Sequence, residues 1–220
     1  GPSARSTRAC AEAGIAVART PTKATQLVRS LRTALLAHTA PRATIYGVFV
    51  RVFGLGVFIS GPAGIGKSEL ALELLSRGHT LVADDAVELL RLPGDLLLGC
   101  APALLRGFLE VRGLGILDVH RMYGEESLCE RARVDFVLHL VPVQDAPVDY
   151  RARLSGLRGT RELLGLVIPE VSLPVRVGHN LATLVEAACR DQWLRLQGVE
   201  ADLAFAARHQ QAIDSSKDGA

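Results

Sequence analysis

Gly61-Pro62-Ala63-Gly64-Ile65-Gly66-Lys67-Ser68 is the stretch whose residue types and spacing could do chemistry most directly. A glycine, four free positions and then Gly-Lys-Ser is the pattern of a phosphate-binding loop. Glycines let successive backbone N–H groups turn toward phosphate oxygens, and a helix start adds the positive end of its dipole. Lys67 can reach terminal phosphates, and the Ser68 hydroxyl can enter the shell of a Mg²⁺ ion. Leu81-Val82-Ala83-Asp84-Asp85 brings two carboxylates soon afterwards. Adjacent side chains on a strand face opposite sides, so these two are not expected to share one job. One aimed at the phosphates can hold a metal or accept the proton of an attacking hydroxyl.

These residues need elements to hold them, and the flanks read accordingly. The apolar run Val57-Phe58-Ile59 reads as a strand into the loop, and Glu69 to Leu75 as the helix leaving it. That helix is predicted to stop at Arg77-Gly78, a glycine C-terminus. Earlier, Leu27, Val28, Leu31, Leu35 and Leu36 have the spacing of an amphipathic helix that ends near Ala40-Pro41. Strands are expected around Ile45–Phe53, Gly56–Ser60 and Thr80–Ala83, then at Val87–Leu92 and Leu96–Leu98 about a Pro93-Gly94-Asp95 turn. Ala101 to Phe108 reads as a short helix or an irregular cover. Leu109 to Asp118 alternates charge, glycine and aliphatics, and reads as a strand with a backbone approach to something bound. Phe136–Val141 reads as a buried strand and the arginine-rich 144–165 as a mobile loop. Val171–Val177 reads as a last strand. Helices follow from Asn180 and, past Gly198, over about 15 residues judged by periodicity.

Composition narrows the classes. A net charge of +2 over 220 residues gives no argument for nucleic acid as a partner. No apolar run reaches the ~18 residues of a membrane span, so no membrane partner is expected. Cys10, Cys100, Cys129 and Cys189 lie far apart and fit reduced thiols in the cytoplasm rather than a zinc site. Cys129 has no partner base beside it, so it is not read as a nucleophile. His79 and His139 read as structural histidines and Trp193 as a packing residue. Gly1-Pro2-Ser3 reads as a scar of tag removal, and the absence of an initiating methionine suggests a piece of a longer protein. The guanine-reading Asn-Lys-x-Asp of GTPases is absent.

Gly61 to Ser68, Arg77-Gly78-His79, Leu81 to Asp85 and the block Leu109 to Asp118 together resemble the bacterial HPr kinase/phosphorylase family. Ala40-Pro41-Arg42, Pro174 to Gly178 and Asn180 match it too, so the resemblance covers roughly residues 11 to 213. It implies an α/β fold, a P-loop-containing kinase core with a mixed β-sheet, flanking helices and C-terminal helices. Residues 4–41 would be the tail of an N-terminal domain and a linker helix, 42–197 the kinase/phosphorylase domain and 198–220 a terminal helix and tail. The implied activity is transfer of phosphate from ATP or pyrophosphate to a serine of the carrier protein HPr, reversed when phosphate attacks phosphoserine. A homohexamer is implied as the assembly.

Carried over position by position, Gly61, Pro62, Ala63, Gly64, Ile65, Gly66, Lys67 and Ser68 would bind the phosphates, and Lys67 would stabilise the transferring group. Ser68 and Glu110 would hold Mg²⁺. Asp85 would take the serine proton and return it in the reverse direction. The chain departs from the family in three places. Tyr46 stands where the family has histidine, and a phenol cannot carry positive charge. The catalytic arginine falls at Arg153, with Arg151 as a rival. Gly178-His179-Asn180 replaces Gly-Arg-Asn, in a block associated with the phosphorylase direction. A nucleotide-gated regulatory protein that binds HPr with weakened or absent catalysis is therefore a second reading. A small-molecule kinase is a third, made remote by the Leu109 to Asp118 block.

Overall fold

Alternation along three strands explains how one sheet can carry the loop and be covered on both sides. Val48, Val50 and Val52 of one strand face the same core as Val57, Ile59, Phe136, Leu138 and Leu140, while Phe49, Phe58 and Val137 between them enter a second core. Such strands are buried on both faces, which is why they read as continuous apolar runs. The computed structural model describes residues 4–17, 20–145, 156–176, 178 and 180–217. It divides into two compact units, 1–39 and 40–220. The first holds helices α1 (Ala4–Glu12) and α2 (Ala24–Thr39).

The second unit is mixed α/β, as expected. Its strands are β1 (Arg42–Tyr46), β2 (Val48–Val52), β3 (Leu55–Ser60), β4 (Thr80–Ala83), β5 (Ala86–Leu92), β6 (Leu96–Cys100), β7 (Phe108–Val111) and β8 (Gly115–Asp118). Four more follow: β9 (Arg131–Arg133), β10 (Phe136–Pro142), β11 (Leu157–Leu163) and β12 (Leu166–Val175). Its helices are α3 (Lys67–Ser76), α4 (Val119–Tyr123), α5 (Leu181–Leu196) and α6 (Ala201–Lys217). A six-stranded sheet runs β11-β12-β10-β3-β2-β4, with β3, β10 and β12 parallel and the other pairs antiparallel. An antiparallel sheet β1-β5-β6-β9 encloses the second core against it. On the other face α3 packs Leu70, Ala71, Leu74 and Leu75, and α5 packs Ala182, Val185 and Cys189. Burial pushes the Cys189 thiol up to about 12, leaving it inert.

Helix α3 stops where the sequence says. Gly78 has φ 86, its N–H donates to Leu75 O, and the His79 N–H reaches back to Leu74 O, closing a glycine-terminated C-cap. Beyond the cap, Arg77 donates to Glu73, Glu186 and Asn180, and His79 Nε2 lies 3.0 Å from Glu186. Asn180 also accepts from Thr183 N as the N-cap of α5. The two helices over the sheet are thus tied by polar groups at adjoining ends, and His79 has the structural role expected. Its hydrogen bond, aided by the Arg77 charge, holds the Glu186 carboxyl below its usual range. A carboxylate with a lowered folded pKa contributes stability above its unfolded pKa of about 4.3 and loses it as pH falls through the folded value. Glu186→Gln should therefore lower the urea midpoint at pH 7, and its deficit should shrink below about pH 4. A deficit constant with pH would contradict this origin.

Several sequence expectations need correction. Residues 157–163 are not loop but strand β11, paired antiparallel with β12, which itself starts at Leu166 rather than Val171. Residues 146–155 of the expected loop lie outside those described. Arginines and a glycine hid β11, because an edge strand turns much of its surface to water. Residues 103–107 form turns, so 101–107 is an irregular cover, one of the two alternatives expected. Leu109 to Asp118 is a hairpin of β7 and β8 rather than one strand, with Gly113 (φ 86) and Gly115 (φ 81) serving its turn. Trp193 does not pack inside: it is 51% exposed on α5. Strand β9 and helix α4 carried no signal strong enough to be read.

Candidate functional site

The phosphate-loop sequence closes the end of β3, and its backbone supplies the shape. Gly61 (φ 146), Gly64 (φ 77) and Gly66 (φ 101) adopt conformations that side chains resist. At Gly61 space forbids one as well, since a Cβ there would lie 2.6 Å from Leu140 O. Gly66 caps α3 with no side-chain hydrogen bond, so the first N–H groups of the helix have no capping side chain to satisfy them. Lys67 folds back, its Nζ donating to the carbonyls of Gly61 and Pro62 at 3.0 Å each.

The loop lines a cavity of about 450 Å³ that also takes in Tyr46, Gly47, Asp84, Asp85, Glu110 and Arg112. Four separate segments meet here: the β1–β2 junction, the loop with the start of α3, the end of β4 and the β7–β8 hairpin. The expected residues Tyr46, Lys67, Ser68, Asp85 and Glu110 are thus brought to one place. Arg151, Arg153 and His179 lie outside the described residues.

The two aspartates are arranged otherwise than strand alternation predicted. Both follow the end of β4, in a bend where Asp85 has a left-handed backbone (φ 64), and both line the cavity. The bend is held by Ala86 N donating to Asp84 O at 2.8 Å and Gly47 N to Asp85 O at 3.0 Å. Their environments differ instead. Asp84 is buried, accepting the Ser68 hydroxyl at 3.1 Å on one oxygen and the Glu110 N–H at 2.9 Å on the other. Burial pushes its carboxyl above the usual range, against the lowering by the Glu110 and Ser68 hydrogen bonds. Asp85 is exposed. One carboxylate is fixed as an anchor and the other is presented to the cavity.

Two contributors had no particular role assigned from the sequence. Asp84 joins Ser68 to the backbone of Glu110, a link invisible without the β7–β8 hairpin. Arg112 is the other: a Cβ placed on Gly64 would sit 3.4 Å from its guanidinium, so Arg112 lies against the loop. Its signal was the basic position inside the Leu109 to Asp118 block. Ser68, Asp84 and Glu110 offer hydroxyl and carboxylate oxygens, the donors that suit Mg²⁺. Among the described residues no group of three or more His, Cys, Asp or Glu is arranged to hold a metal by itself. Mg²⁺ commonly takes one or two protein ligands together with substrate phosphates and water. Among the described residues no helix is long and apolar enough to cross a membrane.

Comparison with known proteins agrees on one family. The profile described as HPr Serine kinase C-terminal domain matches residues 37–209. The HPr kinase/phosphorylase of Bordetella pertussis strain Tohama I is 46% identical over 209 residues, covering 94% of this chain and 67% of the relative. That of Xylella fastidiosa strain M12 is 44% identical over 195 residues, covering 88% of this chain and 62% of the relative. The chain therefore spans about two thirds of these relatives, or slightly less. The solved structure of the Hpr(Ser) kinase/phosphatase from Coxiella burnetii superposes with a TM-score of 0.68 at 32% identity, over 76% of this chain and 97% of that one.

Proposed function

The chain belongs to the HPr serine kinase C-terminal domain family, and from that premise we propose that it transfers phosphate from ATP or pyrophosphate to a serine of HPr and reverses the transfer. The observation that carries this reading is the meeting of the phosphate loop, an exposed Asp85 and an anchored Asp84 around one cavity. In the forward direction the HPr serine oxygen attacks the terminal phosphorus, the bond to the bridging oxygen breaks, and Asp85 takes the hydroxyl proton. ADP leaves. In reverse, phosphate attacks the phosphoserine phosphorus, pyrophosphate leaves, and Asp85 returns the proton to the serine oxygen. Microscopic reversibility gives both roles to one residue.

The remaining residues position and neutralise. Backbone N–H groups of Ala63 to Ser68 hold the phosphates, and Lys67 exchanges its carbonyl partners for the transferring phosphoryl group. Ser68 and Glu110 would hold Mg²⁺, with Asp84 orienting the Ser68 hydroxyl. That ion, when bound, neutralises phosphate charge. Arg112 adds fixed positive charge beside the loop, and Arg153 is the proposed catalytic arginine. The protein is proposed to act in the cytoplasm. A homohexamer is proposed as its assembly, and exposed Trp193, Leu196, Leu203 and Phe205 offer apolar surface for subunit contact.

The deciding experiment incubates purified protein with ATP, Mg²⁺ and HPr and reads phosphoserine by intact mass. Transfer is expected. Absence of transfer over hours, with ATP binding retained, would favour the second reading, a nucleotide-gated HPr-binding regulator. Tyr46 is the observation that keeps that reading open: it lines the cavity, is 78% exposed and stands at the family's histidine position. Tyr46→His should raise the transfer rate by up to about tenfold, the effect of ~1.4 kcal/mol at the barrier. An unchanged rate in a stopped-time assay would mean that the phenol serves as well.

A further inference from the structure

Immediately before the phosphate loop, at the end of β3, stands Ser60, a buried hydroxyl with two side-chain partners. Arg161 Nη1 on β11 donates to Ser60 Oγ at 2.9 Å, and Ser60 Oγ lies 2.9 Å from His139 Nδ1 on β10. A guanidinium can only donate, so the Ser60 oxygen accepts from Arg161. Its own proton is then free for His139, whose Nδ1 accepts it when the ring is neutral with the proton on Nε2. Arg161 is itself ion-paired with Glu170 on β12, its Nε 2.5 Å from Oε2. Four neighbouring strands thus contribute one polar group each to a chain that passes through the residue before Gly61.

The next links reach the site. Gly61 is confined against Leu140 O, and its own carbonyl accepts from Lys67 Nζ at 3.0 Å. A shift of Ser60 would move both the first turn of the loop and the resting place of Lys67. We propose that Arg161 is a positioning residue for nucleotide binding, clamping the start of the phosphate loop through Ser60. Arg161 touches no substrate; it acts through the Ser60 hydroxyl. The inference rests on the reading of that loop as a nucleotide site and adds a determinant outside the phosphate-loop sequence, about 100 residues downstream of Ser60. Hydrogen bonds to charged groups are among the stronger ones, so loss of this one should be measurable at the loop.

The test is titration of the fluorescent analogue mant-ATP with Mg²⁺ into wild type, Arg161→Gln, Ser60→Ala, Ser60→Thr and the Ser60→Ala/Arg161→Gln double variant, with urea unfolding in parallel. Arg161→Gln and Ser60→Ala should each raise Kd about tenfold, as expected for a charge-assisted hydrogen bond. The double variant should be no weaker than the single ones, because both break the same link. Ser60→Thr, which keeps the hydroxyl, should stay near wild type. Unchanged Kd in Arg161→Gln, or losses that multiply in the double variant, would overturn the inference even if stability drops. If wild type itself fails to bind mant-ATP, the nucleotide reading of the loop falls, a result distinct from failure of the variants alone.

Discussion

Asp85→Asn should lower transfer from ATP to HPr by about 10²–10⁴-fold, the usual contribution of a positioned acid–base group. Asparagine keeps the size of aspartate and one acceptor oxygen but cannot take the serine proton. It also tolerates the left-handed backbone found at this position (φ 64), so folding should be spared. Nucleotide affinity should stay near wild type, because the proposed mechanism gives Asp85 no part in holding the phosphates. Phosphorolysis of phospho-HPr should fall in step, since in the proposed mechanism the same carboxyl returns the proton. Rate measurements in both directions, with mant-ATP binding as the control, check this. A variant that keeps most of its rate would move the base to another group. Asp84 is a poor substitute, because both of its oxygens are engaged by Ser68 and Glu110.

Phe136→Ala should cost about 3–5 kcal/mol of stability, enough to threaten folding when whole domains hold only about 5–15 kcal/mol. Phe136 is completely buried in β10 and belongs to the core shared by β3, α3 and α5. Truncation removes apolar contact and leaves a void that close-packed strands on both sides cannot readily fill. β10 pairs Phe136 with Val57 and also carries Leu140, whose carbonyl confines Gly61. The loss should therefore appear first as a lowered urea midpoint and then as weaker mant-ATP binding in the fraction still folded. A loss under about 1 kcal/mol would mean that the core relaxes far more than its burial indicates.

Legibility in the sequence tracked how local each cause was. The phosphate loop, its strand and the stop of α3 at Gly78 depend on residues within one turn of each other, so glycine spacing and apolar runs revealed them. The buried strands β3, β4 and β10 were read for the same reason. Strand β11 was not, because an edge strand with exposed arginines has the composition of a loop, and only pairing with β12 makes it a strand. Trp193 followed helical periodicity onto an apolar stripe, but periodicity does not say whether anything covers that stripe.

For the site itself, the chain alone determined which chemistry was on offer: a phosphate cradle, a lysine, a hydroxyl and two carboxylates. The tertiary structure decided their roles. Asp84 and Asp85 are chemically identical neighbours, and no spacing rule separates them. A left-handed bend after β4, the Ser68 hydroxyl and the backbone of a hairpin 26 positions on make one the buried anchor and leave the other open to the cavity. Arg112 and Arg161 entered in the same way, through contacts between segments distant in sequence. A motif fixes what short-range backbone geometry can fix; burial and hydrogen bonding between distant strands assign the work.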